Sequence, residues 1–252
     1  MQFKHVFVVG AGGIGSHLME SLGRLLAYHP NGTRNIVLID GDSYEEKNRI
    51  RQLFDAQYVG KNKAEVLAKK IEDALFPIRY IPEYIDKEKF EQIVSSTLAN
   101  RRDPFMVVTA VDNHATRKAI IEALDAGEYP NFVFISSGNG YANGQIMTYV
   151  KILGEKGTVH PFDKYDDLKY PDDHIPGTPG CQAEAPSTPQ LITANASAAL
   201  GVLWIVQAML GIPNQEGKIE DGDWFEELHF DSLRMKIAPQ GDRLKFPSVE
   251  IK

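Results

Sequence analysis

Lys4-His5-Val6-Phe7-Val8-Val9-Gly10-Ala11-Gly12-Gly13-Ile14-Gly15-Ser16 decides the fold class of this chain. Lys4 to Val9 is apolar and rich in valine, which reads as a buried strand. Gly10, Gly12 and Gly15 then follow at the spacing G-x-G-x-x-G. The first allows a tight turn, the second lets backbone approach a phosphate, and the third lets a helix pack on the strand. Ile14 to Tyr28 reads as that helix, with Leu18, Leu22, Leu25 and Leu26 on one face. Its free N–H groups and macrodipole favour an anion at its start. A strand–helix turn with no ligand would use the same glycines. The turn alone therefore gives a dinucleotide fold and leaves the ligand open.

One unit further on, Asn35 to Ile39 reads as a second strand, ended by Asp40. A carboxylate there, about 25 residues beyond Gly15, is placed to hold a ribose hydroxyl, although an Asp closing a turn is also common. Asp42, Glu45, Asn48, Arg51 and Gln52 follow in quick succession. A solvated polar loop could look like this. Yet Leu53 and Phe54 come next and would anchor the far end. An anchored loop with a fork-like cation and amides suits phosphate recognition. Hydride transfer has no use for this cluster, whereas holding and cleaving a triphosphate does.

Taken together, the motifs resemble the HesA/MoeB/ThiF superfamily, the ThiF/MoeB/ubiquitin-activating-enzyme group. The glycine loop G-x-G-G-x-G-S matches Gly10 to Ser16, including Gly13. The signature D-x-D-x-x-E-x-x-N-x-x-R-Q matches Asp40, Asp42, Glu45, Asn48, Arg51 and Gln52 without a gap. G-x-x-K-A matches Gly60, Lys63 and Ala64, D-N-x-x-x-R matches Asp112, Asn113 and Arg117, and G-x-x-G-Q is similar to the stretch from Gly140 to Gln145. The likeness spans about residues 5–150, with a fainter continuation to the end. Spaced motifs in one order are far more specific than any one alone.

The resemblance implies a Rossmann-like, doubly wound α/β domain with a mostly parallel sheet and antiparallel C-terminal strands. It implies one unit over residues 1–252, with a nucleotide-binding core at 1–150, a crossover loop at 154–187, and a buried helix and terminal hairpin at 188–252. The implied activity is ATP- and Mg²⁺-dependent adenylation of the C-terminal glycine of a small ubiquitin-like or sulfur-carrier protein. Asp40 would hold the ribose, with Gly10, Gly12, Gly13, Gly15, Asp42, Gln52 and Asn113 around the nucleotide. Asn48, Arg51 and Lys63 would meet the phosphates, and Asp112 would bind Mg²⁺, which prefers carboxylate, water and phosphate oxygens. Phe105 to Ala110 reads as a strand, which puts Asp112 just past its carboxyl end, where ligands of open α/β sheets gather. Read without the family, Lys63 is a solvated helix lysine among Lys61, Lys69 and Lys70, and Asp112 an N-cap for a helix from His114 to Ala126.

Cys181 is the only cysteine. It cannot form an internal disulfide, so the reading is a reducing compartment, the cytoplasm. Relatives carry a crossover cysteine that accepts the activated acyl group. Cys181 has no adjacent base, and an inert loop thiol is the equal alternative. A lone cysteine excludes the paired C-x-x-C zinc site of many relatives, and the histidines show no ligand spacing. Relatives form homodimers, some with an N-terminal helix that lends an arginine to the partner. The first strand begins at about residue 4, so that helix is expected to be missing. These departures make the chain more similar to the compact bacterial, plasmid- or phage-associated ThiF-like proteins, such as the PRTRC-system subgroup, than to housekeeping members.

A net charge of −7 argues against nucleic acid as a main partner. Nothing near the start resembles a signal peptide. Leu191 to Leu210 is almost wholly apolar, but Thr193, Asn195, Ser197 and Gln207 are spread through it. It reads as a buried helix rather than a membrane span, with Thr188 and Pro189 at its start. Asn62 to Leu75 and Lys87 to Ala99 read as helices, Ile78 to Ile81 as a strand. Asn131 to Ser136 and Gln145 to Leu153 also read as strands. Gly154 to Ser187 reads as one long loop without periodicity, and Trp224 to Ile237 as two short strands. An NAD-dependent oxidoreductase and a non-catalytic nucleotide-binding scaffold remain the alternatives.

Overall fold

The alternation along β1 (His5–Val9) explains why the sequence is apolar at every position from Val6 onward. Val6 and Val8 point to one side of the sheet and Phe7 and Val9 to the other, and both sides are buried. A strand covered on both faces cannot alternate apolar with polar. The computed structural model describes residues 2–177, 189–213, 219–220 and 223–245.

After β1 come α1 (Gly13–Tyr28), β2 (Ile36–Ile39), α2 (Lys63–Ala74), β3 (Arg79–Ile81), α3 (Lys87–Thr97), β4 (Phe105–Thr109) and α4 (His114–Ala126). There follow β5 (Phe132–Asn139), β6 (Asn143–Ile152), β7 (Glu155–Lys156), α5 (Pro161–Lys164), α6 (Asp166–Lys169) and α7 (Ile192–Leu210). The last strands are β8 (Ile212–Pro213), β9 (Ile219–Glu220), β10 (Asp223–Asp231) and β11 (Lys236–Lys245). The main sheet runs β11-β10-β6-β5-β4-β1-β2-β3, with β7 on β6. From β3 to β5 all pairings are parallel. Those of β5 with β6, β6 with β10 and β10 with β11 are antiparallel. This is the expected doubly wound sheet with an antiparallel extension, in one α/β domain.

One core lies between the sheet and α1, α2 and α7, through Leu18, Leu22, Leu67, Ile71, Val202 and Ile205. The other lies beneath α3 and α4, through Phe90, Val94, Ile120 and Leu124. Full burial of one such side chain contributes about 1.5–3 kcal/mol, so each strand of the centre is held from both sides. Helix α7 is long and apolar enough to cross a membrane by length and composition. It packs against α1, β5, β6 and β10 as a core helix. Ile192, Leu200 and Trp204 remain exposed on its outer side.

The element boundaries depart from the sequence reading most in four places. β5 runs on to Asn139 and β6 starts at Asn143. The stretch expected to be one loop contains β7, α5 and α6 before residue 178. Helix α7 starts at Ile192 with Leu191 as its N-cap and no side-chain cap; Thr188 lies outside the described residues. The terminal hairpin is longer than the expected two short strands, reaching Lys245.

Candidate functional site

In the order β2-β1-β4 the chain leaves the neighbouring strands β1 and β4 toward opposite faces of the sheet, α1 on one and α4 on the other, which makes their carboxyl ends the switch point where open α/β sheets bind ligands. Gly10 leaves β1 there with φ +104, a left-handed value that favours glycine. A Cβ on it would stand 2.6 Å from the carbonyl oxygen of Ala110 at the end of β4. The two strand ends can be this close only because Gly10 has no side chain. Gly12 and Gly13 then start α1 with no side-chain cap. The first N–H groups of the helix are thereby left to an outside acceptor.

Asp40, at the end of β2, faces this turn. Its carboxylate accepts from the Ala11 N–H at 2.6 Å and the Asp42 N–H at 2.8 Å. Burial pushes its pKa up, and Lys63 and the two N–H groups oppose that shift. Asp42 turns the other way. It accepts from the Ser43 N–H at 2.7 Å and forms an ion pair with the ammonium of Lys63. Lys63 is the first residue of α2 and is only 5% exposed, so it is not the solvated helix lysine that its neighbours suggest. Asn62 caps α2 through the Glu65 N–H and also donates to the carbonyls of Asp40 and Asp42. The signature loop and the start of α2 are thus one hydrogen-bonded unit.

The rest of the signature is anchored at both ends. Asn48 is buried and its side-chain oxygen accepts from the Glu45 N–H in a capping box. Phe54 stacks on buried Tyr44 at 4.0 Å between ring centroids. The Leu53 N–H donates to the Ser16 hydroxyl, which ties the loop to α1; the Leu53 side chain itself is exposed. Between these anchors Arg51 lies beside the glycine turn. Its Nη1 would be 2.9 Å from a Cβ on Gly13. Burial lowers the Arg51 pKa, and the nearby charge of Asp112 opposes that shift. Gln52 is buried against Gly12, and its Oε1 has no hydrogen-bond partner among the described residues.

Asp112 lies past β4 and is exposed. The N-cap of α4 is Asn113, whose Oδ1 accepts from the Thr116 N–H at 2.7 Å. Asp112 is thereby spared capping and left facing outward. The first N–H groups of α4 are taken by Asp173, at 2.7 Å from both His114 and Ala115. Arg117 is buried next to them and donates to the carbonyls of Val111 and Ser137. Burial lowers its pKa, which the charges of Asp112, Asp173 and Asp167 oppose.

A cleft of about 600 Å³ opens beside Asp112, with Arg117, Asn139, Gln145, His229 and Lys236 among its walls. The glycine turn does not line it. Strand register builds its floor: Gly138, Gln145, His229 and Ala238 form one cross-strand row. Ser136, Met147, Glu227 and Gln240 form the next. The opposite face of these strands, with Ile146 and Leu228, packs in the core. Glu227 is buried and accepts from Tyr165, Lys164 and His229. Sequence reading dismissed His229 as one scattered histidine; only the pairing of β6 with β10 brings it to this wall. It also missed Gln190, which accepts from Arg51, and gave no site role to Asn195. The buried Asn195 Oδ1 would be 2.4 Å from a Cβ on Gly13 and has no hydrogen-bond partner among the described residues.

The structure therefore gathers Gly10, Gly12, Gly13, Gly15, Asp40, Asp42, Asn48, Arg51, Gln52, Lys63, Asp112 and Asn113 along one sheet edge. Cys181 lies outside the described residues. Arg24 and Arg49, which could stand in for the arginine of the missing N-terminal helix, make exposed ion pairs with Glu20 and Glu46.

The model of the ThiF family matches residues 1–239. The chain belongs to the ThiF family. It is 31% identical over 119 residues to the NEDD8-activating enzyme E1 catalytic subunit of Arabidopsis thaliana, covering 47% of this chain and 24% of that protein. Among solved structures, E. coli MccB with ATP superposes with a TM-score of 0.61 at 19% identity, over 98% of this chain and 66% of the other. PaaA superposes with a TM-score of 0.56 at 16% identity, over 96% and 64%. This ThiF-family chain thus spans about a quarter of the curated relative and just under two thirds of these solved chains. At such identities the superpositions establish the fold.

Proposed function

We propose that this chain is an ATP- and magnesium-dependent adenylyltransferase. Its acceptor is the C-terminal glycine carboxylate of a small ubiquitin-like or sulfur-carrier protein, which it activates as an acyl-adenylate. The observation that carries this reading is that Arg51 lies over Gly13, Lys63 is paired with Asp42 next to the Asp40 that grips the turn, and Asp112 lies within charge range of Arg51 at the wall of a polar cleft. A dehydrogenase would use the turn and Asp40 and would have no need of the rest.

The residues suit a nucleotide. The uncapped start of α1 offers N–H groups to phosphate, and Asp40 is fixed by backbone donors at the place of a ribose. They suit magnesium too, which keeps several waters and takes one or two carboxylates plus phosphate oxygens. Asp112 would hold it, and when bound it supplies neutralisation of phosphate charge. Lys63 is stored against Asp42 and turns its ammonium to the phosphates. Arg51 offers its fork to the charge that grows on the α-phosphate.

The acceptor tail lies in the cleft and brings its carboxylate to the α-phosphorus. An oxygen of that carboxylate attacks, the bond from the α-phosphorus to the bridging oxygen breaks, and pyrophosphate leaves with the electron pair. No base is required, because the attacking carboxylate is already ionised at neutral pH. Positioning and charge stabilisation do the catalysis. A second step would follow if the Cys181 thiolate attacks the acyl carbonyl and expels AMP. Cys181→Ala then spares adenylation and abolishes any reductant-sensitive conjugate. We extend the reading to a cytoplasmic homodimer, which sedimentation velocity tests for its oligomeric part.

Thermal unfolding with Mg-ATP, with ATP plus chelator, and with NAD tests the reading. Ligand at 100 times Kd adds about 2.7 kcal/mol, a shift of about 5–10 °C for a chain of this size. A shift with Mg-ATP that weakens on chelation is expected. A shift with NAD alone would replace the reading by a dehydrogenase, and no shift with any of them by a scaffold that keeps the fold without the nucleotide.

A further inference from the structure

Gln190 is bonded at both ends of its amide. Its Oε1 accepts from Nη1 of Arg51 at 2.9 Å, and its Nε2 donates to the carbonyl of Asn139 at 3.2 Å. These two bonds fix which way the amide points. A flipped amide would set NH₂ against the guanidinium and oxygen against the carbonyl, losing both. The next residue is fastened as well, because the Leu191 N–H donates to the carbonyl of Tyr141 at 2.8 Å. Gln190 is therefore carried on the β5–β6 turn, whose Asn139 lines the cleft.

Arg51 needs such a partner. Its backbone belongs to the signature loop, on which the carbonyl of Arg51 accepts from His17 at 3.2 Å. Its side chain reaches over Gly13 and is half-buried. A long arginine side chain left alone has many rotamers, and fixing it only when phosphate arrives costs affinity. One Nη1 bond to Gln190 sets the plane of the guanidinium, and a guanidinium has five N–H donors. Among the described residues the others make no bond, which leaves them for oxygens above the glycine turn.

We propose that Gln190 is a positioning residue for the nucleotide site: it holds the Arg51 fork over the glycine turn and fastens it to the wall of the acceptor cleft. The proposal rests on the reading of Arg51 as a phosphate contact. Gln190 acts through Arg51 and does not itself meet the nucleotide.

The test is Mg-ATP affinity by titration calorimetry on wild type, Gln190→Ala, Gln190→Met, Arg51→Ala, and the two double variants. Gln190→Met keeps the length of the side chain and removes only its hydrogen bonds, so it remains informative if Gln190→Ala folds poorly. Either single change at Gln190 is expected to weaken Mg-ATP about tenfold, as loss of a bond to a charged group does. In the Arg51→Ala background the same changes are expected to do nothing further, because the group they position is gone. An equal loss in both backgrounds would show that Gln190 merely supports the β5–β6 turn, and would overturn the proposal. So would full affinity in Gln190→Met. A wild-type chain with no affinity for Mg-ATP would overturn the proposed function and this inference with it, whereas affinity with additive losses overturns this inference alone.

Discussion

The parallel and antiparallel halves of the sheet build their parts of the site by different means. In the parallel half, the ends of β1, β2 and β4 come together through backbone. Gly10 passes under the carbonyl of Ala110, Asp40 is gripped by N–H groups, and the start of α1 is left uncapped. In the antiparallel half, strand pairing lays side chains out in rows, so that Gln145, His229 and Gln240 come to one cleft from distant parts of the chain. Backbone sites need glycine and a fixed spacing, so they leave a motif. Side chains gathered by strand pairing need only that the register be right, so they leave none.

Asp112 stands where the halves meet, and removing it should have the largest effect. Asp112→Ala is expected to lower ATP–pyrophosphate exchange with a glycine-ended ubiquitin-like acceptor about 10²–10³-fold, the size of losing one preorganised charge-stabilising group. Its side chain is exposed, so the unfolding temperature should stay that of the wild type. Unchanged exchange would sever Asp112 from the chemistry and leave the two halves with no shared residue.

Gly15→Ala comes next and strikes the parallel half alone. The added Cβ would lie 2.1 Å from the carbonyl oxygen of Gly10, which is backbone and cannot move aside cheaply. A loss of about 1–3 kcal/mol is expected in urea unfolding, as for other overpacked positions, together with loss of Mg-ATP affinity. A stable variant with full affinity would mean that the turn tolerates a wider separation of α1 from β1 than this geometry allows.

Glu227→Gln is the matching change in the antiparallel half. Burial alone would raise the Glu227 pKa, but bonds from Lys164, Tyr165 and His229 outweigh it and hold the pKa below its ordinary value. A depressed carboxylate contributes stability that is present above its unfolded pKa and lost as pH falls through the folded one. The variant should therefore be less stable by about 1–2 kcal/mol at pH 7, with the gap closing below about pH 4. Mg-ATP affinity should be that of the wild type. A gap that persists in acid would assign the loss to packing rather than to charge.

What the sequence revealed follows the same divide. The doubly wound, mostly parallel class of the sheet was legible, and so were candidate residues for its edge, because G-x-G-x-x-G and the stretch from Asp40 to Gln52 state their own spacing. That Lys63 is buried was not legible from Lys61, Lys69 and Lys70 beside it; its burial comes from Asp42, far back in the chain. The segment after Gly154 looked structureless. Yet His160 caps α5 with its ring nitrogen and Pro161 fills the first helical position, a pairing of residues too short for periodicity to reveal. Beyond Ile237 β11 continues through Pro239 and Gly241, two residues that do not read as strand. As the edge strand it can carry a proline, whose missing N–H costs nothing on the open side. Gln190 and His229 could not be assigned without the register of β5, β6 and β10.

Gly12→Ala should have the smallest effect on stability and the sharpest meaning. A Cβ on Gly12 has Gln52 Nε2 as its nearest neighbour at 3.7 Å, an ordinary contact. The methyl meets no clash there, and a change of no more than about 1 kcal/mol, the usual scale for Gly against Ala, is expected in urea unfolding. The open space beside it is where backbone is meant to meet phosphate, and a methyl group would occupy that space. Mg-ATP affinity should then fall several-fold while stability holds, the opposite of Glu227→Gln. Gly15 would be kept for packing and Gly12 for the ligand, two reasons for one motif. If affinity also holds in Gly12→Ala, the turn is merely a tight strand–helix connection, and the nucleotide must be sought in the cleft of the other half.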